Sequence, residues 1–121
     1  MALQLTDLTA EERVALVTLL ELVAEADQYV TDDEAKAVNR VIKTLGRKAY
    51  EEAVAEADRR FQDPAERRRF LETAIARQEA RELIFETVLE VALADAPVRA
   101  ETEILDWLRR TWNITMRVVK E

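Results

Sequence analysis

Asp27, Asp32, Asp33 and Glu34 place four carboxylates within eight residues, in a chain with no histidine and no cysteine. Hard cations bind through several oxygen ligands, and a loop of acids and exposed carbonyls between two helices can supply them. These four residues are therefore candidate ligands for a divalent cation: calcium, magnesium or zinc. A sparser set, Asp95 and Glu101, stands further along, where Pro97 stiffens the backbone and Arg99 adds a positive charge. Neither stretch has the alternating acids and central glycine of a calcium hand, and Gln28 and Tyr29 sit where a tight cation loop needs small residues. The same acids also suit a structural role. Thr31-Asp32-Asp33-Glu34 has the form of a capping box, and Asp32 and Asp33 favour the positive end of the helix that follows. Asp27 can accept backbone N–H bonds across the turn. The structural reading requires no cofactor; the other takes a divalent cation.

Other chemistry is poorly supplied. Without histidine, cysteine or serine, acid-base work falls to carboxylates, tyrosines and lysines, and a serine nucleophile is impossible. The expectation is a protein that is not an enzyme. Glu82, Glu86 and Glu90 share a helix face, but a di-metal bundle site pairs such glutamates with histidine. Arg59, Arg60, Arg67, Arg68 and Arg69 flank one turn, with Asp58, Asp63 and Glu66 interleaved. That mixture predicts an ion-pair surface rather than an anion site, and it could also meet the acidic third of a second copy. Trp107 falls off the apolar stripe of its helix, as a partner anchor or a half-buried edge residue.

The elements that position these residues are helical. Thr9-Ala10-Glu11-Glu12 is a capping box that starts a first helix, with Val14, Leu16, Val17, Leu20, Val23 and Ala24 at helical spacing as far as about Ala26. The second opens at Thr31, carries Ala37, Val38, Val41, Ile42 and Leu45 and ends at Gly46 as a left-handed cap. The third runs from Arg47 to Phe61, burying Tyr50, Val54, Ala57 and Phe61. Asp63-Pro64-Ala65-Glu66 starts the fourth, whose stripe of Phe70, Leu71, Ala74 and Ile75 breaks near Arg77 to Glu79. The fifth, with Leu83, Ile84, Phe85, Val88, Leu89, Val91 and Ala92, is apolar on most sides, as a central helix would be. The sixth spans about Ala100 to Trp112, buries Ile104, Leu105, Leu108 and Trp112, and ends at Asn113 in a left-handed cap. Thr115 to Glu121 reads as a short helix or an ordered end.

Two helix-loop-helix segments share a pattern, an apolar run closing on Ala-Asp and leading through Val to an acid-led helix. Glu101 matches Glu34, Leu105 matches Val38, Leu108 matches Val41, Trp112 matches Leu45 and Asn113 matches Gly46. With 121 residues, 49% hydrophobic content, one glycine and two prolines, the chain predicts an all-α compact bundle of six to seven helices, built on this duplication as a single domain over residues 1–121. No apolar stretch is long enough to cross a membrane and the N-terminus lacks a basic leader, so a cytoplasmic protein that does not insert in membranes is expected. Net charge is −7, and it is uneven: residues 1–35 hold nine acids against Arg13, while the other 86 hold 16 acids and 17 bases. An acidic N-terminal third repels phosphate backbones, which argues against nucleic acid and for a basic protein partner or self-association.

The duplicated junction resembles the TerB-like domains of tellurite resistance, related to the N-terminal module of the DjlA co-chaperones. Their motif is Ala-Asp-Gly-x-(Val or Ile)-x-x-x-Glu, carried twice in an all-α fold. Ala26-Asp27, Val30 and Glu34 match it with Gln28 in place of the glycine. Ala94-Asp95, Val98 and Glu101 match it after loss of one residue, with Ala96 at the glycine position. The resemblance extends from about Leu8 to Ile114 and implies a bacterial stress-linked or assembly role, with acidic clusters that bind metal or partners. The functional expectation is a non-catalytic interaction or scaffold module using the acidic interhelical loop. The alternative is a cation-binding or sensing domain through Asp27, Asp32, Asp33 and Glu34.

Overall fold

The structure, a computed structural model, describes residues 3–26, 31–94 and 99–114. A 3-10 helix at Leu5–Asp7 precedes six α-helices: α1 Ala10–Ala26, α2 Asp32–Leu45, α3 Arg47–Arg60, α4 Pro64–Thr73, α5 Gln78–Ala92 and α6 Arg99–Thr111. The described residues are all-helical, with no strand among them. The initial 3-10 turn is an addition to the sequence reading; it is closed by the Gln4 N–H, which donates to the Asp7 carboxylate at 2.9 Å. The expected tail helix at 115–121 lies outside the described residues.

The predicted capping signals form. Thr9 N–H donates to Glu12 at 2.9 Å and Glu12 N–H donates to the Thr9 hydroxyl at 3.2 Å, which fixes the start of α1. Asp63 accepts from Glu66 N–H at 3.0 Å with Pro64 at the first helical position. Gly46, at φ 99°, closes α2 and opens α3 in one residue: its N–H donates to Ile42 O at 2.8 Å, and its carbonyl accepts from Tyr50 N–H at 2.9 Å. Asn113, at φ 52°, ends α6 in a Schellman arrangement, with Ile114 N–H donating to Arg109 O at 2.9 Å and Asn113 N–H to Arg110 O at 3.3 Å.

Helix α1 is the axis of the fold. It packs on α3, α4, α5 and α6, and Ala15, Leu16, Leu19 and Thr18 are buried beside the expected Val14, Val17, Leu20 and Val23. Thr18 tolerates this because its hydroxyl donates to Val14 O at 2.7 Å within the helix. Ala24, read as part of the stripe, is exposed. Helix α5 is also packed on several sides, against α1, α2 and α6, so the central position is shared by two helices rather than held by α5 alone. On α3 the buried residues are Ala53 and Ala57, which sit on Val14 and Val17, while Tyr50, Val54 and Phe61 are only half-buried. Small side chains at that contact let the two backbones approach closely.

The far ends are tied by two polar contacts. The Trp112 indole N–H, fully buried, donates to Leu71 O of α4 at 2.7 Å. Gln78, in the first turn of α5, donates to Trp112 O at 3.1 Å and so occupies a terminal carbonyl of α6.

Candidate functional site

The α1–α2 junction separates its acids by role. Glu34 is only 4% exposed and completes the capping box: Glu34 N–H donates to the Thr31 hydroxyl at 3.2 Å, and Thr31 N–H donates to the Glu34 carboxylate at 3.4 Å. Asp32 and Asp33, on the first turn beside it, are exposed. Asp27 lies outside the described residues. The matched position in the second junction, Glu101, is also buried, at 0% exposure in the first turn of α6. Asp95 lies outside the described residues.

The repeat is thus expressed in three dimensions at its critical positions. Each unit puts a buried glutamate in the first turn of its second helix, buries Val41 or Leu108 two turns on, and ends on a residue with positive φ. Among the described residues, no group of three or more acids is placed to hold a metal ion. Asp32, Asp33, Glu34 and Glu101 are therefore not gathered into one such group.

Three polar assemblies lie outside these loops, and the sequence indicated only the arginine-rich one. Glu12, read only as a capping residue, is also 4% exposed and accepts from Nε and Nη2 along one edge of the Arg77 guanidinium, at 2.8 and 2.6 Å. Arg77 is the N-cap residue of α5, and it also donates to Asp7 O at 3.4 Å, so one side chain clamps the starts of α1 and α5. The Arg77 hydrogen bonds hold the Glu12 carboxyl below its ordinary value against the opposing effect of burial. The capping pattern marked Glu12, but nothing local to it indicates a partner 65 residues away.

The second assembly gathers the arginines of α3 and α4. Arg59 pairs with Glu56, Arg60 bridges Glu11 at 2.5 Å and Glu56 at 2.6 Å, and Arg67 grips Glu25 at 3.0 and 3.1 Å. Arg68 covers the Trp107 ring at 4.7 Å, which leaves that tryptophan half-buried rather than projecting as an anchor. This is the expected ion-pair surface.

The third is a cleft of about 210 Å³ between α1, α3 and α4, whose rim holds Glu21, Glu25, Asp58 and Asp63 against Arg67. Burial, then the like charges of Asp58 and Glu25, push the Glu21 carboxyl up from its ordinary value. Like charges crowded around the half-buried Glu21 cost stability, but they give this face a concentrated negative potential.

An all-helical domain with two helix-loop-helix units, each carrying acids at its junction, defines the class of protein. The model of the family described as Tellurite resistance protein TerB matches residues 10–115, and the chain belongs to that family. It is thus a tellurite-resistance-associated domain. No curated protein and no solved structure matches the chain. No helix among the described residues is long and apolar enough to cross a membrane.

Proposed function

We propose that this TerB-family domain is a non-catalytic interaction module whose acidic N-terminal surface engages a basic protein partner. The observation that carries the reading is the division of labour at the α1–α2 junction. Thr31 and Glu34 complete the cap between them, so Asp32 and Asp33 remain exposed with no ion-pair partner among the described residues. Acids used only to start a helix need not be three in a row, since one or two satisfy the orphan N–H groups and the dipole. Exposed at the start of α2, they present carboxylates to a partner at a surface whose charge steers association. Affinity capture with the wild-type domain should recover a stoichiometric basic partner, and Asp32→Lys plus Asp33→Lys should abolish it. Recovery of the same partner by the reversed variant would refute the assignment.

A second reading is supported by a different observation. Glu34 and Glu101 are buried at matched positions, each beside the loop that holds Asp27 or Asp95. Buried carboxylates adjoining acidic loops suit a divalent cation, with Asp27, Asp32, Asp33 and Glu34 as ligands at the first junction and Asp95 and Glu101 at the second. On this reading, calorimetric titration of chelator-stripped protein with calcium, magnesium and zinc gives one-site binding that Asp27→Asn plus Glu34→Gln removes. Absence of heat with each ion, and no change in melting temperature, would dismiss it.

A further inference from the structure

From Ala35 to Ala49 the chain has five bases, Lys36, Arg40, Lys43, Arg47 and Lys48, and no acid, although the whole carries −7. Lys36, Arg40 and Lys43 stand at i, i+4 and i+7, so they share one face of α2 over a length of roughly 10 Å. Arg47 and Lys48 continue the positive charge into the first turn of α3, and all five are exposed. Arg47 makes a loose pair with Glu51 at 3.7 Å; among the described residues Lys36, Arg40, Lys43 and Lys48 have no carboxylate at ion-pair distance. Helix-dipole compensation accounts for Lys43 in the last turn of α2 but not for Lys36 or Arg40 in its middle.

A groove of about 230 Å³ runs beside this ridge, between α2, α5 and the 3-10 turn. Leu5, Ala37, Val41 and Val91 form its apolar lining, with Arg40 on the α2 edge and Glu90 on the α5 edge. That volume is smaller than a typical small-molecule site and suits one aliphatic side chain.

We propose that the ridge and groove together form a second docking face, which takes a short acidic peptide segment with an aliphatic anchor. The anchor enters the groove, and the flanking carboxylates pair with Lys36, Arg40 and Lys43. Charge complementarity selects the partner: an acidic segment is repelled by the acidic N-terminal third and attracted to this acid-free basic face. A nucleic acid fits less well. Among the described residues no aromatic side chain lines the groove for base stacking, and a long phosphate backbone along α2 would run onto Asp32 and Asp33. The face is independent of the acidic surface assigned above, so the domain would join a basic partner to an acidic one.

The test is fluorescence anisotropy with a labelled short peptide of Glu and Asp around two Leu residues, titrated with the full chain at low salt. Saturable binding is expected. It should weaken by about tenfold in Arg40→Glu plus Lys43→Glu and with added salt, as charge pairing requires. It should also weaken when the peptide leucines become serine, and should not weaken in Asp32→Lys plus Asp33→Lys, which separates this face from the acidic one. Arg40→Gln plus Lys43→Gln, with melts by circular dichroism, guards against a folding artefact. The proposal is overturned by lack of saturable binding, by equal binding to the reversed variant, or by indifference to the leucines. Preference for oligothymidylate of equal charge would make nucleic acid the occupant and overturn it as well. So would salt-sensitive self-association, seen by sedimentation velocity and lost in the reversed variant, since the occupant would then be a second copy.

Discussion

At the scale of single residues, burial decides what a carboxylate does. Glu12 and Glu21 lie on the same helix and titrate in opposite directions. The Arg77 hydrogen bonds lower the Glu12 carboxyl, so the stability it contributes is present above the ordinary carboxylate range and is lost as pH falls through its depressed value. Replacing it by Gln should cost about 2 kcal/mol at neutral pH, since hydrogen bonds to a charged partner are broken while Arg77 keeps part of its solvent contact. That difference should shrink on acidification. Glu21 runs the other way, because burial and then Asp58 and Glu25 raise its carboxyl. Its folded form holds the proton to higher pH than the unfolded chain does, so stability falls as pH rises through the raised value. Glu21→Gln should therefore stabilise the protein at neutral pH and converge with wild type in acid. Urea melts of both variants at the two pH extremes check both signs.

At the scale of elements, boundaries were written in local chemistry and were legible. Two capping boxes, the Asp63-Pro64 start and the stops at Gly46 and Asn113 each depend on neighbours within a few residues, so sequence spacing is enough to find them, although Gly46 ends α2 at φ 99° and ψ 130° rather than in the expected left-handed cap. Facing is less local. Ala24 has the spacing of a buried residue but is exposed, and α1 is buried on more sides than its stripe indicated, because α3, α4, α5 and α6 all pack on it. The two stops also make a quantitative contrast. A Cβ on Gly46 would meet nothing within 4 Å, so Gly46→Ala carries a cost from the backbone alone, at φ 99° and ψ 130°, of about 1–3 kcal/mol. Asn113 at φ 52° holds the left-handed cap that asparagine tolerates, so Asn113→Gly should be close to neutral. Thermal denaturation of the pair separates backbone strain from packing. An equal loss at both sites would contradict it.

At the scale of the whole molecule, the contacts that close the bundle join residues far apart in sequence. Trp112 to Leu71 spans 41 residues and Glu12 to Arg77 spans 65. Trp112→Phe keeps most of the apolar volume but removes the indole donor, leaving a buried carbonyl without that bond and a small void. The expected loss is about 2 kcal/mol by urea denaturation. A loss near zero would mean that the Leu71 carbonyl finds another donor. The charge pattern also acts at this scale, with acids concentrated in residues 1–35 and an acid-free basic run directly after them.

By itself the sequence determined the all-α class, the helix boundaries, the duplicated junction and the family resemblance, because caps, periodicity and motif spacing are short-range properties of the chain. It also marked Asp32, Asp33, Glu34 and Glu101 as the acids to examine. Only the tertiary structure decided that Glu34 and Glu101 are buried while Asp32 and Asp33 face solvent. It alone brought Glu21, Glu25, Asp58 and Asp63 to one cleft, and α2 beside α5 around an apolar groove. Those outcomes depend on which helix covers which face, and that is set by the summed packing of side chains distant in sequence, which no local pattern encodes.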